Sequence, residues 1–205
     1  MNQVLLPIAT HELANVSLEE VRSYLLSLFC QGAYQEGEFV LSSGQRSSYY
    51  INGKLVTLHP QGALMVGRLL LELLPSSVQG VAGLTLGADP IVTAVSLVGA
   101  YQNRAIFPYI VRKEAKGHGT QAYIEGVPLP EGSPIAVLED VVTTGQSALK
   151  AVERLRAAGY AVTQILALVD RQQGGAELYQ QKGLNFQTVF TIKDIQTYWA
   201  SRNAE

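Results

Sequence analysis

Short apolar runs alternate with helical patterns through the middle of the chain, and this alternation constrains the fold more than any other feature. The runs cover residues 78–86, 105–111 and 135–138, and a fourth run at 162–169 is apolar almost throughout. Strands that alternate with crossover helices form parallel sheets, and strands buried on both faces are apolar along their whole length. The sequence therefore predicts an α/β fold with a central, mostly parallel sheet flanked by helices.

A smaller element is predicted ahead of this sheet. Residues 1 to about 16 read as a loose arm, after which Ser17 and Glu20 form a capping-box pattern for a first helix that runs to Cys30. Two short apolar runs, 39–41 and 49–51, are separated by turn residues. This spacing predicts a hairpin that serves as a hood.

The rest of the chain gives simpler signals. Helical patterns cover residues 61–74 and 147–158, and residues 188–199 predict a last strand followed by a closing helix. Gly, Pro and Gln crowd residues 117–132 and 172–175, which are predicted to be mobile loops.

Composition limits the class of protein. A chain of 205 residues that is 47% hydrophobic can bury one sizeable core, so we expect one domain over residues 1–205, with a hood mainly from about 17–55 and part of the C-terminal region. The net charge of -2 offers no global positive field, so neither nucleic acid nor a membrane surface is an expected partner. The single cysteine, Cys30, predicts a small core residue and fits a reducing cytoplasm.

Residues 137–147 place a buried strand, two adjacent carboxylates, a hydroxyl-rich turn and a helix start in sequence, as Val-Leu-Glu-Asp-Val-Val-Thr-Thr-Gly-Gln-Ser. Unpaired amides and the positive dipole end at a helix N-terminus favour a phosphate monoester. Glu139 and Asp140 would repel a phosphate, so they are expected to accept hydrogen bonds from sugar hydroxyls or to face a divalent cation. In the plainer alternative, the two acids cap the helix and the turn is an ordinary one.

The whole string resembles the phosphoribosyl pyrophosphate (PRPP) motif of the type I phosphoribosyltransferases. Neither a Walker loop nor a Gly-x-Gly-x-x-Gly fingerprint is present in the sequence. The resemblance implies the type I phosphoribosyltransferase fold. It also implies that the motif residues contact PRPP, namely Glu139, Asp140, Val141, Val142, Thr143, Thr144, Gly145, Gln146 and Ser147.

A cation cluster follows the run at 105–111, where a strand end should lie beside the phosphate site. On a solvated face such a cluster is usually idle. The pattern Arg-Lys-x-x-Lys-x-His-Gly is, however, similar to the mobile catalytic loop of orotate phosphoribosyltransferases. This likeness implies PRPP contacts from Arg112, Lys113, Lys116 and His118, and it implies that the catalytic residues are Lys113, His118 and Asp140.

Other stretches agree with that family. Residues 41–50 are similar to its hood segment over the base, and residues 83–90 resemble its pyrophosphate loop. Arg171 matches the strand-end arginine that meets the orotate ring in the family, so the implied orotate-binding residues are Thr143, Arg171 and Tyr50. Two positions depart from many bacterial members, because Ser42 and Gly87 stand where lysines are common.

The resemblance implies transfer of the phosphoribosyl group of PRPP to orotate, which yields orotidine 5′-phosphate and pyrophosphate in UMP biosynthesis. It also implies a Mg²⁺ cofactor held by PRPP with no direct protein ligand. In this family the loop, here residues 112–119, crosses a two-fold interface, so we expect a cytoplasmic homodimer.

Two alternatives stay open. A related transferase would act on a purine or on uracil, but a neutral base needs no arginine such as Arg171 at its edge. A non-catalytic PRPP sensor would usually carry a DNA-binding module, for which the N-terminal arm is short and lacks basic charge.

Overall fold

The computed structural model describes residues 8–40, 46–115 and 123–203. Within these residues the strands are, in chain order, β1 (Tyr34–Val40), β2 (Arg46–Ile51), β3 (Gly80–Leu84), β4 (Phe107–Val111), β5 (Ile124–Glu125), β6 (Pro134–Val142), β7 (Ala161–Asp170) and β8 (Asn185–Thr191). The helices are α1 (Leu18–Leu28), α2 (Lys54–Thr57), α3 (Pro60–Leu73), α4 (Asp89–Tyr101), α5 (Gln146–Ala157), α6 (Gly175–Gln181) and α7 (Ile192–Asn203). None of the described helices is both long and apolar enough to cross a bilayer.

Six of the strands form the central sheet, in the order β5-β4-β3-β6-β7-β8. All neighbours are parallel except β4 and β5, which are antiparallel. The prediction of a mostly parallel sheet flanked by helices is confirmed. The chain enters at the centre with β3, moves outward to β4 and then crosses back to β6. This reversal places a topological switch point between β3 and β6, where folds of this kind bind ligands at the carboxyl ends of the strands.

The sheet separates two apolar cores, because successive strand side chains point to opposite faces. Leu138 belongs to the core that contains residues of α1, α3, α4 and α7, whereas its neighbour Val137 belongs to the core that contains residues of α5 and α6. Both side chains are fully buried. This two-sided burial explains why β6 and β7 are apolar along most of their length.

The first helix begins as its capping box predicts. The Ser17 hydroxyl accepts a hydrogen bond from the Glu20 amide at 3.2 Å, and the Glu20 carboxylate accepts one from the Ser17 amide at 3.0 Å. The helix ends at Leu28 and gives way to a π-helical turn, Phe29–Ala33, which contains the buried Cys30. The predicted hairpin is also confirmed, since β1 and β2 pair antiparallel.

The N-terminal arm was predicted to be loose, and this is wrong for its described part. Leu13 is fully buried in a short 3₁₀ turn, Glu12–Ala14. The Gln61 side chain donates to the Ile8 carbonyl at 2.7 Å, and Arg68 donates to the carbonyls of Leu13 and Val16. Polar side chains of α3 thus donate hydrogen bonds to the backbone carbonyls of the arm. These bonds join residues some fifty positions apart, so a local sequence pattern cannot predict them.

Two short elements lie in stretches that the sequence assigns to loops. Strand β5 is only two residues long and adds an antiparallel edge within residues 117–132. Helix α6 begins at the end of the second stretch, 172–175. It was missed because it has seven residues and opens with glycine, a poor helix former.

Candidate active site

Three segments of the chain meet at the carboxyl edge of the sheet. Asp140 belongs to β6, Gly87 follows β3, and Gly53 precedes α2 below the hairpin. A Cβ atom at Gly87 would lie 2.8 Å from Oδ1 of Asp140, and one at Gly53 would lie 3.1 Å from its Oδ2. Asp140 is therefore enclosed between two backbone segments that approach it closely because they carry no side chain. The Cβ atom of a lysine at position 87 would displace this carboxylate. This close approach explains why glycine fits position 87.

Glu139, the first of the two adjacent acids, has a strongly shifted pKa. It is buried, and its Oε2 atom makes no hydrogen bond within the part of the chain that the structure describes. Burial, followed by the charge of Asp140 and a hydrogen bond with it, raises the pKa of Glu139 well above its ordinary value, and Lys113 and Lys54 partly offset this. Glu139 therefore favours its protonated form, and both lysines lie within electrostatic range of it.

The predicted phosphate cradle is a small cavity at the start of α5. The helix begins at Gln146, and its N-cap is Gly145 in the left-handed conformation (φ 82°) with no side-chain cap. The first-turn amides are thus left without intrahelical acceptors. The cavity has a volume of about 90 Å³ and is lined by Glu139, by residues 141–147 and by Tyr179. The structure thus brings together all the predicted motif residues except Asp140 around one cavity.

Tyr179 was missed by the sequence analysis. It lies on α6, and its ring stands behind Gly145, where a Cβ atom would come within 2.8 Å of the ring. Its side chain is fully buried, and its hydroxyl has no hydrogen-bond partner among the described residues. No motif marks this residue, because its position depends on how α6 packs against the turn.

Arg171 connects the end of β7 to the hairpin. Its amide donates to the Val142 carbonyl at 2.9 Å, and its Nε and Nη2 atoms donate to the Tyr49 hydroxyl at 3.0 Å and to the Ser47 hydroxyl at 3.3 Å. The guanidinium also lies over the Tyr49 ring, 4.7 Å from its centroid. Among the described residues no salt bridge joins Arg171 to Asp170 or Glu177.

Tyr50, a predicted orotate contact, lies on the opposite face of β2 from Tyr49. It is exposed and packs against Phe39, with ring centroids 5.6 Å apart. The structure therefore brings Tyr49, and not Tyr50, to Arg171, because side chains alternate along a strand. Tyr50 stays a prediction for orotate binding.

The cation cluster begins at the end of β4. The Arg112 guanidinium pairs with Glu125 of β5 at 3.2 Å, and Lys113 is exposed. Arg154 of α5, a residue that the sequence did not mark, donates to the carbonyls of Arg112 and Lys113 and stacks on the Tyr123 ring at 4.0 Å. The base of this segment is therefore anchored to α5.

Two predicted members of the cluster, Lys116 and His118, lie outside the described residues, as do residues 41–45 of the hood segment with Ser42. Among the described residues, no group of three or more His, Cys, Asp or Glu side chains is arranged to hold a metal ion.

Comparison with known proteins shows the family of the chain, although no family model matches it. It is 70% identical over 183 residues to an orotate phosphoribosyltransferase of Nostoc sp., covering 89% of each protein. It is 62% identical over 190 residues to one of Synechocystis sp., covering 93% of this chain and 96% of the relative.

A solved structure agrees in fold. The orotate phosphoribosyltransferase of Mycobacterium tuberculosis, in complex with 5-phospho-alpha-D-ribosyl 1-diphosphate, superposes with a TM-score of 0.72 at 34% identity. The match covers 86% of this chain and 99% of that one. With its sheet order, its cradle at the start of α5 and its strand-end arginine, the chain belongs to the orotate phosphoribosyltransferase family.

Proposed function

We propose that this chain transfers the phosphoribosyl group of PRPP to orotate and releases orotidine 5′-phosphate and pyrophosphate, a step of UMP biosynthesis. The observation that carries this proposal is that the α5 cradle and Arg171 lie at the same edge of the sheet. The cradle follows β6, and Arg171 follows the neighbouring strand β7. A phosphate site next to a buried cation fits a phosphorylated sugar beside an anionic base.

PRPP is proposed to enter with its 5-phosphate in the cradle formed by residues 141–147. The hydroxyls of Thr143, Thr144 and Ser147 add donors to the first-turn amides of α5. The ribose hydroxyls then face Glu139 and Asp140. A protonated Glu139 can both donate and accept there, whereas an ionised pair of acids could only accept.

The pyrophosphate is proposed to be bound by Arg112, Lys113, Lys116 and His118, which each chain contributes to the site of its partner in the dimer. Arg112 would exchange its Glu125 partner for a phosphate oxygen, and this pair is half-exposed, so its loss costs little free energy. Arg154 donates to the carbonyls of Arg112 and Lys113 and so fixes the root of the segment on α5, from which the segment is proposed to cross to the partner's site.

Orotate is proposed to bind between the hairpin and the end of β7, with Arg171, Thr143 and Tyr50 around the ring. The Nη1 atom of Arg171 makes no hydrogen bond with the described residues, so it is free to meet the carboxylate or a ring oxygen. The other two nitrogens hold the guanidinium in place through Tyr49 and Ser47. A donor that is already oriented loses little entropy when the ligand binds.

The reaction needs positioning and neutralisation of charge more than covalent chemistry. The anomeric carbon loses pyrophosphate through an oxocarbenium-like transition state, while a ring nitrogen of orotate approaches from the opposite face. Lys113 and its neighbours stabilise the charge that develops on the leaving group. Asp140, held between Gly53 and Gly87, faces the ribose where positive charge develops.

Magnesium is the proposed cofactor, and the site fits an ion that arrives with PRPP. Glu139 and Asp140 would accept hydrogen bonds from the ribose hydroxyls and would face a Mg²⁺ ion held by PRPP, since oxygen is the ligand that Mg²⁺ prefers. When bound, Mg²⁺ offsets the charge of the pyrophosphate leaving group.

We further propose that residues 1–205 form a single domain and that the chain works as a cytoplasmic homodimer, in which residues 112–119 enter the partner's site. An apolar groove beside the loop that follows β3 supports the dimer. Exposed Leu58, Leu86 and Leu97 line it, and such a patch on a surface is typical of an interaction site. The free, buried thiol of Cys30 fits a reducing compartment.

The activity is tested by incubating the purified protein with orotate, PRPP and Mg²⁺ and following the loss of orotate absorbance. We expect turnover with orotate, none with uracil or hypoxanthine, and loss of turnover when a chelator removes Mg²⁺. Binding of PRPP without turnover of any base would instead favour a sensor, and turnover of a neutral base would favour a salvage enzyme.

A further inference from the structure

Tyr179 carries a buried hydroxyl that the fold does not satisfy. Its side chain has no exposed surface, and its ring packs against Phe186 with centroids 5.1 Å apart. The hydroxyl makes no hydrogen bond with any described residue. Native proteins seldom leave a buried donor without a partner, because such a group has lost its water and gained nothing in return.

The hydroxyl lies directly behind the start of α5. A Cβ atom at Gly145 would be 3.0 Å from it, and Gly145 is the N-cap of that helix. Tyr179 also lines the same 90 Å³ cavity as the turn residues 141–147. A second unsatisfied polar atom, Oε2 of Glu139, belongs to the same cavity. Both unsatisfied atoms therefore lie around the space proposed for a phosphate.

The phenol acts as a donor there. Burial, and then the charges of Glu139 and Asp170, raise the pKa of Tyr179 above its ordinary value, so the hydroxyl keeps its proton at any physiological pH. A protonated phenol and the helix amides are all donors. The missing partner is therefore an acceptor, and a phosphate oxygen is a strong one.

We propose that Tyr179 is a phosphate-binding residue that donates a hydrogen bond to the 5-phosphate of PRPP from the floor of the cradle. This inference rests on the proposed function in one respect, that the cradle takes a phosphate. It adds to the PRPP motif a residue from α6, about thirty positions beyond the turn. The cradle is then closed from below by a side chain and from the side by backbone amides.

The test compares Tyr179→Phe with the parent chain and with Tyr160→Phe. Tyr160 is the matched control because it is also a buried tyrosine of the same core but does not line the cavity. Calorimetric titration with ribose 5-phosphate should give a dissociation constant about 10- to 100-fold higher for Tyr179→Phe, the size of a lost hydrogen bond to a charged group. Tyr160→Phe should bind like the parent.

Thermal unfolding without ligand separates binding from structure. Removing an unpartnered hydroxyl should leave the melting temperature of Tyr179→Phe equal to that of the parent or raise it. Equal affinity of the parent and Tyr179→Phe for ribose 5-phosphate would overturn the inference. A lower ligand-free melting temperature, or failure of the variant to fold, would do so as well, because the hydroxyl would then serve the fold. If the parent itself did not bind ribose 5-phosphate, the cradle assignment would fail together with the role of Tyr179.

Discussion

Replacing Arg171 with alanine should weaken orotate binding by about two to three orders of magnitude and leave PRPP binding nearly unchanged. Hydrogen bonds to charged groups contribute about 1.5–3 kcal/mol each. Two such bonds to orotate, each near the lower end of this range, amount to about 3–4 kcal/mol, and each 1.4 kcal/mol is a factor of ten in affinity. Because Arg171 is buried, water cannot easily replace the lost guanidinium.

The same replacement also removes the side-chain contacts between the end of β7 and the hairpin. Arg171 loses its bonds to Tyr49 and Ser47 and its stacking on the Tyr49 ring. Two hydrogen bonds of about 1 kcal/mol each and a cation–π contact of about 0.5–1 kcal/mol should lower the free energy of unfolding by about 2–3 kcal/mol. The loss of orotate affinity must therefore be distinguished from a disordered hairpin.

Tyr49→Phe is the control, because it removes the hydrogen bond from Arg171 Nε to the Tyr49 hydroxyl and keeps the guanidinium. We expect it to cost about 1 kcal/mol of stability and to reduce orotate affinity far less than Arg171→Ala. Titration calorimetry with orotate and with PRPP, alongside urea unfolding, measures both effects. Unchanged orotate affinity in Arg171→Ala would refute the reasoning and reopen the identity of the base. An equal loss for both ligands would assign Arg171 to the fold alone.

Three further predictions concern the charged groups. Lys113→Ala should lower turnover by about 10²–10³-fold with little change in PRPP affinity, and equal turnover in steady-state kinetics would exclude a role in the transition state. Mixing inactive Lys113→Ala and Asp140→Ala chains should restore activity through hybrid dimers with one intact site, whereas no recovery despite verified subunit exchange would mean that the segment serves its own subunit. The raised pKa of Glu139 means that the folded chain keeps a proton that the unfolded chain releases near pH 4, so this group costs stability as pH rises from there toward the folded pKa. Urea unfolding should therefore show Glu139→Gln gaining stability over the parent as pH rises above the pKa of an unfolded glutamate, about 4.3, and parallel pH profiles would contradict this.

The parts of the site that could be predicted are those encoded by neighbouring residues. The strand, acids, turn and helix of residues 137–147 form one continuous piece of chain, and the capping box at Ser17 and Glu20 involves only four positions. Parallel strands bring their carboxyl ends to one edge, so Asp140, Arg171 and Lys113 could be placed together from their order alone. These steps need no knowledge of packing.

What the sequence did not reveal depends on contacts between distant segments. Arg154 holds the cation segment from 41 positions away, and Tyr49 holds Arg171 from 122 positions away. The contact of Tyr49 with Arg171 could not be predicted, because the register that turns this side chain toward Arg171 is fixed by pairing with β1. The buried arm was read as loose for a similar reason, since its backbone is satisfied by the Gln61 and Arg68 side chains.

The confinement of Asp140 between Gly53 and Gly87 has a consequence for the entropy of substrate binding. A carboxylate on an open surface samples several rotamers and loses them when it binds a ligand, at about 0.5–1.5 kcal/mol for a freely rotating side chain. Here a Cβ atom on either glycine would lie about 3 Å from the Asp140 carboxylate, so the two segments narrow the space in which this side chain can rotate in the free protein. That entropy is lost once, when the chain folds, and it is not lost again when the proposed substrate PRPP binds.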